Sequence, residues 1–118
     1  MRDLAPEIVR QRLLIEALYT VSVDEAFVDR FLHGLAEHLD LRTYADATIV
    51  APGGQGRQEN EGFDAFLPLI DSGISLYVWT NARFLACVLF TCKQFEALSA
   101  VTFVQDSFKT TDITSLEF

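Results

Sequence analysis

The stretch Phe63–Thr91, FDAFLPLIDSGISLYVWTNARFLACVLFT, decides the fold. It holds three apolar runs, Phe63 to Ile70, Ile74 to Thr80 and Phe84 to Thr91, separated by the polar clusters Asp71-Ser72-Gly73 and Asn81-Ala82-Arg83. Short runs rich in aromatic, β-branched and large aliphatic residues, bounded by turn formers, read as strands. Connections this short leave no room for a crossover, so the three strands form an antiparallel meander.

Outward from the meander, Arg12 to Thr20 carries Leu14, Ile15, Leu18 and Tyr19 and reads as a buried strand, with residues 1 to 11 as an arm or short helix leading into it. Ser22-Val23-Asp24-Glu25 has the form of a capping box, with Ser22 as the N-cap. Phe27, Phe31, Leu35 and Leu39 follow at steps of four, which specifies an amphipathic helix. Thr43 to Val50 is a short β-prone segment, and Ala51 to Gly62 is a Gly-rich polar loop and a candidate lid. Beyond the meander, Thr91-Cys92-Lys93-Gln94 suggests a second capping box, with Phe95, Leu98, Val101 and Thr102 on a helix running to about Ser107. Thr111 to Phe118 alternates as a last strand. The expectation is one domain over residues 1–118: an α+β two-layer sandwich, an antiparallel sheet of about six strands with two helices on one face, because a sheet's apolar face must be covered.

Half of the 118 residues are apolar and ten are Phe, which is ample for one hydrophobic core and too much for a disordered chain. The formal net charge of −8 argues against nucleic acid or an anionic membrane as a partner, since both call for clustered Lys and Arg. The apolar runs fall far short of the roughly 20 residues of a membrane-spanning helix, and the N-terminal residues lack a signal-peptide layout, so a cytoplasmic protein is expected. Cys87 and Cys92, five apart, point to opposite faces of a strand and read as free thiols. His33 and His38 lie about 140° apart on the first helix, which disfavours a metal site. Gly53-Gly54-Gln55-Gly56 lacks the Lys-Ser/Thr of a phosphate loop.

The informative motif is Asp71-Ser72-Gly73-Ile74-Ser75-Leu76-Tyr77-Val78-Trp79-Thr80-Asn81, continued by Phe90-Thr91-Cys92. Taken singly, a Ser in an Asp-Ser-Gly cluster is hairpin chemistry, and a Cys between strand and helix is a small apolar residue. In combination they resemble the small bacterial and archaeal pyruvoyl-dependent S-adenosylmethionine decarboxylases, whose signature reads Glu-Ser-His-Ile-Ser/Thr-Ile-His-Thr-Trp-Pro-Glu, with Phe-Thr-Cys ending the next strand. The element order agrees over essentially the full length, with Leu13-Leu14-Ile15-Glu16 at the family's first strand and Pro52-Gly53-Gly54-Gln55-Gly56 near its Ser-Pro-Gln-Gly loop.

The resemblance implies self-cleavage between Asp71 and Ser72 by an N-to-O acyl shift and β-elimination, leaving a pyruvoyl group derived from Ser72. Its carbonyl would condense with a small-molecule amine substrate and act as the electron sink for decarboxylation in polyamine biosynthesis. By the same resemblance Asp71 flanks the cleavage point, Cys92 is the proton donor, Tyr77 stands at the processing position, and Trp79 and Asn81 line the substrate pocket. Two protomers are expected to pair sheet to sheet as a homodimer. A strained backbone at Ser72 would help its hydroxyl reach the preceding carbonyl, and Cys92 at a helix N-terminus would have its thiol pKa lowered. The hydroxyl at 72 and the sulfur at 92 are expected to converge on one cavity.

The sequence departs from the family pattern at both histidines, where Gly73 and Tyr77 stand. A phenol of pKa about 10 is protonated near neutrality and offers mainly a hydrogen bond. Asp71 replaces a longer carboxylate, Asn81 replaces the Glu that holds the substrate's ribose in the family, and Arg57 to Gly62 lengthens the loop. Three readings follow: an S-adenosylmethionine decarboxylase, a pyruvoyl decarboxylase of ornithine or arginine, and an unprocessed, non-catalytic relative acting as a binding or regulatory subunit.

Overall fold

The computed structural model describes residues 1–53 and 56–118. Gly54 and Gln55, in the Gly-rich stretch expected to be a loop, lie outside the described residues. The element order is β1 (Gln11–Leu18), α1 (Glu25–His38), β2 (Thr48–Val50), β3 (Gly62–Leu69), β4 (Ser72–Trp79), β5 (Phe84–Thr91), α2 (Ala97–Phe108) and β6 (Asp112–Glu117). The six strands form one sheet in the order β2-β3-β4-β5-β1-β6, with every neighbouring pair antiparallel.

The period-two alternation of each strand decides which face is covered. Leu13, Ile15 and Ala17 of β1, Leu67 and Leu69 of β3, Ile74, Leu76 and Val78 of β4, and Leu85, Cys87 and Leu89 of β5 are all buried in one core. The helices supply the other half of that core through Val28, Phe31, Leu32, Leu35 and Ala36 of α1 and Ala100, Val104 and Phe108 of α2. Each large aliphatic or aromatic side chain removed from water contributes about 1.5–3 kcal/mol. Phe108 is fully buried and lies against Tyr19, Phe27 and Phe31, with ring centroids 5.6, 5.0 and 4.8 Å away. This aromatic knot joins the end of β1 to both helices.

The alternate residues of the same strands form the opposite face, which no element among the described residues covers. The cross-strand register sets Phe66, Ser75, Val88, Leu14 and Leu116 in one row across β3, β4, β5, β1 and β6. Tyr77, Phe90 and Leu18 lie in parallel rows, and with Phe66 and Leu116 they are exposed.

Several local expectations shift. The N-cap of α1 is Asp24 rather than Ser22: its Oδ1 accepts from the Phe27 amide at 2.7 Å. The two residues differ in that Asp24 immediately precedes the first helical residue, where a carboxylate also meets the positive end of the helix dipole. The Thr43–Val50 segment yields only the three residues of β2 and an isolated bridge from Thr43 to Leu69. Within the lengthened loop, Gln58–Asn60 winds into a single 3-10 turn. The α2 helix begins at Ala97 with no side-chain cap, so Thr91-Cys92-Lys93-Gln94 does not act as a capping box. Instead the Thr91 hydroxyl donates to the Lys93 carbonyl at 2.7 Å, closing a bend that holds the helix off. Cys92 therefore lies outside the reach of the α2 dipole, which falls off within the first turn.

Candidate active site

The two-residue turn between β3 and β4 is Ile70-Asp71, and Ser72 and Gly73 already belong to β4, paired with Leu69 and Pro68. The polar cluster Asp71-Ser72-Gly73 thus turns one residue earlier than its composition suggests. Ser72, not Gly73, takes the unusual backbone, with φ at 123°. A positive φ is ordinary for glycine and costs an L-residue with a Cβ on the order of 1–3 kcal/mol, so it persists only where neighbours hold it.

The neighbours are visible. The Cys92 amide donates to the Asp71 carbonyl at 2.9 Å, fixing the carbonyl that immediately precedes Ser72. On the other side, the Ile70 amide donates to the Arg42 carbonyl at 2.8 Å, tying the turn to the loop that follows α1. The Asp71 side chain is buried, and the Arg42 amide and guanidinium approach its two oxygens at 3.4 and 3.5 Å. Thr91 lies directly across from Ser72 in the β4–β5 ladder and is fully buried.

Asp71, Ser72 and Cys92 therefore meet at one end of the sheet. Cys92 reaches the site through its backbone, and its side chain is exposed, whereas Cys87 is buried among core residues with its thiol pushed up to about 12 by desolvation. Both are free thiols.

The other motif residues are elsewhere in the chain. At ~3.3 Å per strand residue, Tyr77 lies roughly 17 Å from Ser72 and Trp79 roughly 23 Å. Tyr77 is on the uncovered face, paired with Ala86 and Asp64. Trp79 packs on Phe84 with centroids 5.2 Å apart. Asn81 is in the turn beyond, where its side-chain amide donates to the Gln58 carbonyl and so braces the 3-10 turn. Gly73 faces the same uncovered side, and a Cβ built there would come within 2.5 Å of the Phe66 ring. The ring thus fills the space a side chain at 73 would use. Arg42 escaped the reading of the sequence: it lies 29 residues before Asp71, in a loop with no motif. The cation beside the carboxylate is brought there by the path of the chain.

An antiparallel sheet backed by two helices, with a positive-φ serine following a buried aspartate in a tight hairpin, places the chain in the class of small two-layer α+β proteins. Within that class, the model of the S-adenosylmethionine decarboxylase family matches residues 13–118, and the chain belongs to this family, whose decarboxylases are pyruvoyl-dependent. Among solved structures it is similar to the adenosylmethionine decarboxylase from Aquifex aeolicus VF5, with a TM-score of 0.74 and 16% sequence identity, covering 94% of this chain and 89% of that one. No curated protein sequence matches the chain. Among the described residues no helix is long and apolar enough to cross a membrane, and no group of three or more His, Cys, Asp or Glu is arranged to hold a metal ion.

Proposed function

We propose that the chain is a proenzyme that cleaves itself between Asp71 and Ser72 and then decarboxylates a small amine substrate. The observation that carries this reading is the geometry of that peptide bond: Ser72 at φ 123°, with the preceding carbonyl oxygen held by the Cys92 amide. Attack by the Ser72 hydroxyl on the Asp71 carbonyl carbon builds negative charge on that oxygen, and a fixed backbone N–H already pointing at it stabilises the charge without reorganisation. Backbone strain at Ser72 favours the same step, because breaking the bond relieves it. These features fit the precursor of a pyruvoyl group, which would supply an electron sink for loss of carbon dioxide. Cys92, whose thiol is exposed beside the turn, is the proton donor in this reading.

The homodimer belongs to the same proposal. The uncovered face carries Phe66, Tyr77, Phe90 and Leu116, and an apolar sheet face of this kind is stabilised by pairing with a second copy. Since Tyr77 is roughly 17 Å from Ser72 along its own strand, any part it plays in processing is played across that interface, on the opposite chain. Trp79 and Asn81 stand under the same geometric condition as pocket residues. Sedimentation showing a strict monomer at micromolar concentration would count against the pairing.

Denaturing mass spectrometry tests the cleavage directly. Fragments 1–71 and 72–118, the second trapped by a carbonyl-reactive amine, are the expected outcome. A single intact mass after long incubation would remove the enzyme reading. It would leave the alternative of an unprocessed binding or regulatory relative, which the Phe66 ring over Gly73 favours, because it closes the space where the family carries a histidine. Carbon dioxide release from S-adenosylmethionine, ornithine and arginine then separates the substrates.

A further inference from the structure

The loop leaving α1 grips the cleavage turn at several points. Thr43 bridges to Leu69, the Arg42 carbonyl accepts from the Ile70 amide, and the Arg42 guanidinium lies 3.5 Å from the Asp71 carboxylate. The carboxylate is 10% exposed and the arginine side chain 65%, so the anion is fixed while the cation has room to turn. Lys93, the nearby lysine, is committed elsewhere: its Nζ donates to the Asp40 carbonyl at 2.6 Å and to the Asp40 carboxylate at 3.3 Å. Among the described residues the cation touching Asp71 is Arg42.

We propose that Arg42 is the counter-ion that receives the new carboxylate of Asp71 as the chain breaks, a role that rests on the self-cleavage proposed above. In the acyl shift, Ser72 Oγ bonds to the Asp71 carbonyl carbon, the C–N bond breaks, and the hydroxyl proton passes to the freed nitrogen. In the elimination, a solvent water takes the α-proton of Ser72, the Cα–H electrons form the Cα=Cβ bond, the Cβ–Oγ bond breaks, and its electron pair departs with Asp71 as an α-carboxylate. Water then hydrolyses the residue left at 72 with release of ammonia. The second step creates a full negative charge on a residue that already carries one in a buried turn. Like charges this close oppose ionisation, so the leaving group is poor unless a cation stands by. The Cys92 amide is a neutral donor to that oxygen. The guanidinium, with five donors in a planar fork, holds the old and the new carboxylate together. Arg42 is thus a positioning and charge-balancing residue for elimination, with no part in the acyl shift.

The test follows cleavage of the full chain, translated in vitro, by denaturing mass spectrometry with and without hydroxylamine, which cuts an ester but not a peptide. Arg42→Gln is expected to slow release of fragment 1–71 about tenfold, the value of one hydrogen bond to a charged group. It should also accumulate a hydroxylamine-sensitive chain, and Arg42→Lys should restore most of the rate. A structural role would slow the acyl shift and leave no ester to trap. Arg42→Gln cleaving at the wild-type rate, or Lys93→Gln accumulating as much ester, would overturn the assignment while leaving self-cleavage standing. A wild-type chain that never cleaves overturns both.

Discussion

Two glycines of the sheet, at opposite ends of the β3–β4 ladder, separate a soft obstruction from a hard one, and their substitution tests the packing along it. A Cβ at Gly73 would meet Cε1 and Cζ of Phe66 at 2.5 and 2.6 Å, whereas a Cβ at Gly62 would land on the Val78 carbonyl oxygen, inside the β3–β4 ladder. Phe66 is 45% exposed, so its ring can swing toward solvent at the cost of its packing; overpacking of this kind costs about 1–3 kcal/mol, and an exposed ring places Gly73→Ala near 1. The carbonyl of Val78 cannot move without its strand, so Gly62→Ala should exceed about 3 kcal/mol. With Phe66→Ala as background the obstruction at 73 is gone, and the same Gly73→Ala change should become stabilising by about 0.5 kcal/mol through reduced chain entropy. Urea titrations of the two single variants at 73 and 66, the double variant and Gly62→Ala measure all four quantities. The coupling between 66 and 73 should be about 1.5 kcal/mol, well above the few tenths at which independent sites add. Additivity within that margin, or a Gly62→Ala cheaper than Gly73→Ala, would refute the reasoning.

Other expectations follow from single contacts. Phe108→Ala removes the centre of the aromatic knot and should cost about 3–5 kcal/mol in the same titrations, against about 1 kcal/mol for Asp24→Ala at the cap of α1. In the native protein an aromatic disulfide reagent at pH 8 should titrate one thiol, that of Cys92, with Cys87 appearing only on denaturation, because burial holds its thiol near 12. Burial also raises the pKa of Tyr19, whose hydroxyl donates to the Trp79 carbonyl at 3.2 Å. Above pH 10 the unfolded chain ionises first, so this contribution, complete below pH 10, is lost as pH rises through the higher folded value; Tyr19→Phe should flatten that part of the stability curve.

The meander, the strand before α1, both helices and the last strand were legible because each carries a strong period bounded by turn residues. What was not legible is tertiary. The unusual backbone falls on Ser72 as expected, but the turn itself lies at Ile70-Asp71, one residue earlier than the Asp-Ser-Gly cluster implies, because Cys92 and Arg42 fix it there. Cys92 resembled a residue at a helix start because Thr-Cys-Lys-Gln mimics a cap, and only the Thr91 hydroxyl bond to Lys93 shows the bend. The motif from Asp71 to Asn81 reads as one site in sequence, and strand rise alone disperses it along about 30 Å. That dispersal could have been worked out from the strand assignment itself.

The interleaving of the sheet has a consequence for any break in the 71–72 bond. The halves on either side of it contribute β1, β2 and β3, and β4, β5 and β6, but the spatial order alternates between them, so they share three seams: β3 with β4, β5 with β1, and β1 with β6. A severed chain would be two ribbons woven through each other. Neither could slip away without unzipping an entire strand from both of its flanks, so the nick would alter chemistry at one point and leave the architecture whole.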